Sequence, residues 1–245
     1  MQYPASFIML SLGHFFATLI DIVGIWVLFD RFQIVKGWRL PEVGLIYGIV
    51  QIGFALSEAF ARGFDTFSQL IKYGDFDRFL LRPHNTLFQM AFREMQMMRI
   101  GRFLQGLIIL IWSSSYLPFS LLSLHSFIIF LSILGTAALF YGLFIIQAAL
   151  SFWTIETLEL MNITTYGGVM TGQYPMSIYN QYLRFIFTLF IPIGCVVYYP
   201  IATLLVHESL PIWLSSILPF SGFLFLFLAC QFWHFGVRHY CSTGN

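Results

Sequence analysis

Apolar runs of nearly twenty residues recur along this chain, and that recurrence constrains it more than any motif it carries. The run at 6–29, SFIMLSLGHFFATLIDIVGIWVLF, is followed by 43–61, VGLIYGIVQIGFALSEAFA, and the last is 212–235, IWLSSILPFSGFLFLFLACQFWHF. Two more runs, at 103–122 and 124–148, meet at a tight turn near Pro118. A helix needs about 20 mostly apolar residues to cross bilayer hydrocarbon, so each run reads as a transmembrane helix. Charge agrees: 9% of the 245 residues are Asp, Glu, Lys or Arg, against about 25% in a soluble domain. The expected fold class is all-α, a polytopic membrane protein with six transmembrane helices. It forms a single transmembrane domain over 1–245, with no room for a separate soluble domain.

The sixth crossing must come from 149–211, which admits two solutions. Hydropathy alone makes 185–205, FIFTLFIPIGCVVYYPIATLL, the fifth span and leaves 153–184 cytoplasmic. Alternatively 151–172 crosses despite Glu156, Glu159 and Asn162, and 173–211 lies outside as short broken or re-entrant helices before the last span. Pro192 and Pro200 favour broken helices, because each removes a backbone donor. Irregular backbone at membrane depth is tolerated where protein or a cavity surrounds it.

Orientation follows from Lys and Arg. Residues 62–102 hold Arg62, Lys72, Arg78, Arg82, Arg93, Arg99 and Arg102, whereas 30–42 hold Arg31, Lys36 and Arg39. The positive-inside rule puts 62–102 in the cytoplasm. Both termini are then cytoplasmic, with Arg238 just past the last span. The start, MQYPASFIML, lacks the basic opening of a cleaved signal, so the first span is expected to stay as an anchor.

Several function classes drop out early. A net charge of +1 provides no basic surface for nucleic acid. Cys195, Cys230 and Cys241 have neither disulfide nor zinc spacing. The six histidines (His14, His84, His125, His207, His234, His239) show no ligand spacing, so no metal is assigned. Trp26, Trp38, Trp213 and Trp233 lie near span ends, as an aromatic belt requires. An ion-coupled secondary transporter or channel stays as the alternative function, although it would need midplane charges on several spans and, usually, internal repeats. An integral membrane enzyme would need polar side chains clustered at one face.

The densest charge stands in GDFDRFLLRP, residues 74–83. At helical spacing Phe76, Phe79, Leu80 and Pro83 share one side, with Asp75, Arg78 and Arg82 on or near the other. Asp75 and Asp77 suit a first helical turn, and Pro83 a stop. The pattern predicts a short amphipathic helix, lying under the membrane or docked on a partner. Intramembrane ionisable residues are functional candidates. Asp21 is one, as a substrate contact, a subunit contact or a hydrated outer residue. Glu58 is expected to pair with Arg62, four residues on. Glu156, Glu159 and Asn162 would form a polar stripe toward the bundle interior if 151–172 crosses.

The stretch RGFDTFSQLIKYGDFDRFLLRPHNTLFQ (62–89) resembles the loop between spans two and three of ABC type-2 exporter permeases. More narrowly it resembles a small six-span branch carrying G-(D/E)-(L/F)-D-x-x-L-L-R-P. Residues 152–200 and the ending GVRHYCSTGN (236–245) resemble the same branch. The resemblance implies a permease subunit that pairs with a second, identical or homologous one in the inner (plasma) membrane. Each subunit would dock one soluble P-loop ATPase that binds ATP and Mg. This chain contains no G-x-x-x-x-G-K-[ST] and is expected to hold no cofactor and no enzymatic activity itself. Asp75, Phe76, Asp77, Arg78, Phe79, Leu80, Arg82 and Pro83 would form the coupling helix, its charges addressing the ATPase and Phe76, Phe79 and Leu80 anchoring the contact. The implied cargo is amphipathic or hydrophobic: a drug, a toxic organic cation or a peptide. The family order also favours the second solution for 149–211, with TYGGVMTGQYP ending span five. The resemblance implies a basic amphipathic stretch before the first span, where this sequence has only MQYPA.

Overall fold

The computed structural model describes residues 4–117, 124–154 and 158–241. Helices account for most of it. Helix α1 (Pro4–Phe32) leads through a two-stranded hairpin, β1 (Ile34–Val35) and β2 (Trp38–Arg39), into α2 (Leu40–Phe60). Lys36 (φ 48) and Gly37 (φ 88) make the hairpin turn, and positive φ at both central residues matches the twist of the two strands. Four short helices then cap one end of the bundle: α3 (Arg62–Asp65), α4 (Phe67–Lys72), α5 (Asp77–Leu80) and α6 (Thr86–Ala91). A 3-10 turn, Met97–Arg99, opens α7 (Ile100–Ser115); α8 (Leu124–Leu150) and α9 (Leu158–Gly172) follow. After a second such turn at Met176–Ile178 come α10 (Gln181–Leu189) and a π-helical turn at Gly194–Tyr198. The latter continues as α11 (Tyr199–Leu204), before α12 (Ile212–Ile217) and α13 (Phe220–Arg238).

Four stretches are long and apolar enough to cross a membrane among the described residues: Ser6–Phe32, Leu40–Phe60, Leu124–Leu150 and Ile212–Arg238. A bent pair, Gln181–Leu189 with Gly194–Leu204, makes a fifth if it is counted as one span. The chain is therefore all-α and multi-pass. Two of the six expected spans are helical but short. Helix α7 has 16 residues and α9 has 15, about 22–24 Å at 1.5 Å per residue. The expected turn near Pro118 lies outside the described residues.

The 185–205 segment is not the continuous span that hydropathy suggests. It bends by 84° between its limbs, at 190–193, where Pro192 has no amide hydrogen to continue a helix. The first limb, α10, has no buried residue, while Val196, Val197, Tyr198, Ile201 and Ala202 of the second are buried. Both flanks of the pair meet the β1–β2 hairpin. Before it, Ser177 Oγ accepts from Trp38 Nε1 at 3.2 Å, and Lys36 Nζ donates to the Ser177 carbonyl at 3.1 Å. After it, His207 stacks on Trp38 with ring centroids 4.1 Å apart and meets Glu42 Oε2 at 3.1 Å. Arg184 closes the base of the pair on Glu208 at 3.3 Å.

Helix α2 is the buried centre, flanked by α7 and α8, whereas α1 and α13 leave most of their apolar surface exposed. Without a hydrophobic drive between helices in lipid, close approach depends on small residues. Gly135 of α8 and Gly222 of α13 meet backbone to backbone: a Cβ on Gly222 would stand 2.1 Å from the Gly135 carbonyl oxygen. The four tryptophans do not all belong to a belt. Trp26 and Trp213 are exposed, but Trp38 and Trp233 are buried as packing centres, one at each end of the bundle.

Candidate functional site

The cap on the loop end, residues 62–99, holds the chain's densest charge and folds as a compact layer. Helix α3 sits directly on α6, where a Cβ on Gly63 would stand 2.0 Å from the Met90 carbonyl oxygen. The cap closes on itself where the Gln96 amide donates to the Ala59 carbonyl at 2.9 Å. Helix α4 ends on Gly74 (φ 70), with the Gly74 amide bonded to the Ile71 carbonyl at 3.1 Å and that of Asp75 to Leu70 at 3.0 Å. This pair of bonds is a Schellman stop, which needs a left-handed residue and so a glycine. The chain then turns straight into α5.

The amphipathic helix expected over 74–83 is one turn long, and its facing differs from the expected one. Phe76 precedes α5 and has no exposed surface. Its ring lies 5.0 Å from Phe67, 5.6 Å from Phe152 and 5.1 Å from Tyr240. Phe76 therefore anchors the turn to its own bundle and offers nothing to a partner. Phe79 is half-buried between Arg82 and Arg93, whose guanidinium carbons lie 5.2 and 5.9 Å from its ring centre. Gln89 Nε2 donates to the Phe79 carbonyl at 3.0 Å and to that of His84 at 2.9 Å, tying the 80–85 turn down. Leu81, which the spacing argument left out, is 87% exposed and forms the tip. Leu80, Arg78, Arg82 and Pro83 are exposed around it. Asp75 reaches Arg78 only at 3.8 Å in the open, a contact of little weight. Asp77 is turned back, accepting from Tyr240 Oη at 3.0 Å. The outward face is thus Leu80, Leu81 and Pro83 between two guanidiniums, on a base held from behind.

Above the cap lies a buried ion cluster. Glu58 does not pair with Arg62, because α2 ends at Ala61 and Arg62 turns to Asp65 in its own helical turn. Glu58 faces inward at 5% exposure, meeting Arg99 at 3.0 Å through Oε1 and Arg102 at 3.3 Å through Oε2. Tyr166 Oη of α9 also donates to Oε1 at 3.2 Å. Arg102 lies over the Phe54 ring at 4.9 Å, and Arg99 approaches His14 of α1 at 3.3 Å. One carboxylate therefore joins α1, α2, α7 and α9. The polar column continues along the bundle: Gln105 Nε2 donates to the Thr18 carbonyl at 2.9 Å and to Tyr47 Oη at 3.0 Å. Asp21 is half-buried on the face of α1 that carries His14 and Thr18. The stripe expected on α9 does not line the interior as a whole. Asn162 is exposed, Glu159 falls in the first turn of α9, and Glu156 lies outside the described residues.

The fold and the cap define a class: a multi-pass helical membrane protein with a compact charged cap at one end. The chain matches the family described as ABC-2 family transporter protein over residues 15–244, and it belongs to that family. It is accordingly a membrane permease component of an ABC transporter, a system in which the ATPase activity lies in separate partner subunits. No curated protein and no solved structure is similar enough to match.

Removing one partner from a buried ion cluster costs about 3–5 kcal/mol, whereas an exposed pair contributes about 0–1 kcal/mol. Glu58→Ala is therefore expected to lower thermal stability in detergent far more than Arg62→Ala. Equal melting of the two variants would contradict the cluster.

Proposed function

We propose that this chain is the membrane-spanning half of an ATP-driven exporter, docking a soluble P-loop ATPase through the 74–83 tip and moving an amphipathic or hydrophobic compound. Candidates for the cargo are a drug, a toxic organic cation or a peptide. The observation that carries the proposal is the division of labour within one turn: Phe76 is locked inside while Leu81 projects between Arg78 and Arg82. An apolar knob ringed by cations suits a groove on a protein partner, since arginine is enriched among the residues that carry binding energy at interfaces. ATP and Mg are held by that partner. The permease pairs with a second copy or a homologous subunit, and ATP-driven closure of the ATPases rocks the paired bundles between inward- and outward-facing states. The buried ions at Glu58 pair with one another and join helices, which favours a structural role over an ion path.

In this reading the chain crosses the inner (plasma) membrane six times, by α1, α2, α7, α8, α9 with its extension to 178, and α12–α13. The bent pair is re-entrant from outside, because Tyr166 meets Glu58 near the cap whereas Ser177 and His207 both meet the hairpin at the far end. The cap and both termini are cytoplasmic by the positive-inside rule.

The function is tested by mild solubilisation of the tagged chain from its host. A P-loop ATPase is expected to co-purify. Changing Arg78, Leu81 and Arg82 together to alanine is expected to cut its recovery by roughly tenfold or more, as a loss above about 1.4 kcal/mol requires. Undiminished recovery with the folded variant would move the docking surface elsewhere; no ATPase with the native chain would defeat the exporter reading. The topology is tested by Tyr182→Cys in a background without the three native cysteines. The thiol is expected to react with an impermeant maleimide on intact cells, and labelling only after lysis would sink the re-entrant arrangement.

A further inference from the structure

The docking tip is covalently joined to α2, through α3 and α4, and to α7, through α6. Its packing leads elsewhere. The Phe76 ring sits 5.6 Å from Phe152, just past the end of α8, and 6.4 Å from Trp233 of α13. It also lies 5.1 Å from Tyr240, two residues beyond α13, whose hydroxyl donates to Asp77. On the other side of the tip, Trp233 Nε1 donates to Thr86 Oγ1 at 3.2 Å, and Asn85 Nδ2 lies 3.2 Å from His234 Nε2. Phe152 and Trp233 themselves meet at 5.3 Å. The covalent route to α7, by contrast, runs through 92–96, which form no helix.

We propose that this aromatic joint makes the docking tip, the loop end of α13 and the turn after α8 one rigid unit, so that motion imposed by the ATPase enters the bundle through α13 and α8 rather than through the 92–96 connector to α7. The inference rests on the exporter reading above. The physical argument is stiffness. Interlocked buried rings have few alternative arrangements and transmit displacement, whereas a short non-helical connector absorbs it as backbone rotation. Phe76, Trp233 and Tyr240 are positioning residues: none forms the outward face, yet together they set where that face stands. Asp77, offered by its sequence position as an address for the partner, instead fixes the chain after α13 to the tip.

The test uses the full complex with its ATPase, in a chain without native cysteines and diluted with unlabelled chain. Spin labels are placed at Tyr73→Cys with Phe235→Cys, and at Tyr73→Cys with Ile100→Cys. All three positions are exposed and lie off the tip. Distances are compared without nucleotide and after trapping with ATP and vanadate. The 73–235 distance is expected to hold within the width of its distribution while the 73–100 distance shifts. In Phe76→Leu, the 73–235 distribution is expected to broaden while the ATPase still co-purifies. Tyr240→Phe, which keeps the ring and removes the bond to Asp77, is expected to broaden it less. A 73–235 distance that shifts as far as 73–100, or two distances that both stay fixed, overturns the rigid unit and leaves the exporter reading standing. A native complex from which no ATPase can be recovered overturns that reading and the inference together.

Discussion

Glu58 holds Arg99 and Arg102 in a setting where none of the three could be kept alone. A charge in an apolar bundle must be matched by a partner or carried to an end, and this cluster does both. It sits where α2 gives way to the cap and accepts from α9, while Arg99 reaches back to α1. Helices α1, α2, α7 and α9 are therefore referenced to one point at the loop end. The hairpin end has its own reference in Trp38, which gathers Ser177 and His207 from the two flanks of the bent pair. Between these two points the bonds of Gln105 to Thr18 and Tyr47 run through mainly apolar packing, with backbones brought together at glycines such as Gly135 and Gly222.

How much of this was legible in the sequence depends on the range of the interaction that decides each feature. Helices α1, α2, α8 and α13 were plain, because a run of apolar residues fixes a crossing helix locally. The short α9 fell within its expected range and α7 began three residues before its own, and neither reached the expected length. The 84° bend was hidden from hydropathy, since an apolar average is the same for a straight segment and a folded one; Pro192 and Pro200 signalled a break, and the bend falls at Pro192. The Glu58 partners were out of reach, standing 41 and 44 residues on along the chain. The i,i+4 rule pointed to Arg62, but it fails where a helix ends between the two residues. Trp38 and Trp233 looked like belt residues by position, and only tertiary packing turns them inward.

The 74–83 stretch shows the same division. Its charge density and the family resemblance drew attention to ten residues that fold as a projecting turn at the loop end. The helical wheel drawn over them was wrong in detail, because Gly74 and a single-turn α5 set the facing in place of a continuous helix. Phe76 moved from the outward face to the inward one, and Leu81 took the tip. That exchange matters for function. An exposed Phe76 would make the stretch a sticky amphipathic strip, able to lie on lipid. A buried Phe76 makes it a small, stiff projection, which suits a protein groove. The ABC-2 family membership supplies the system in which such a projection has a use.

The claim on which the account turns is that Leu81 faces the ATPase. A photoreactive benzophenone amino acid placed at Leu81, in cells carrying the intact system, addresses it directly. Phe127, exposed on the apolar surface of α8, serves as the reference position. The account predicts a crosslink from position 81 to a P-loop ATPase, identified by its mass, and none from position 127. Crosslinking from position 81 to lipid or to a second copy of this chain, with no ATPase adduct, would contradict it.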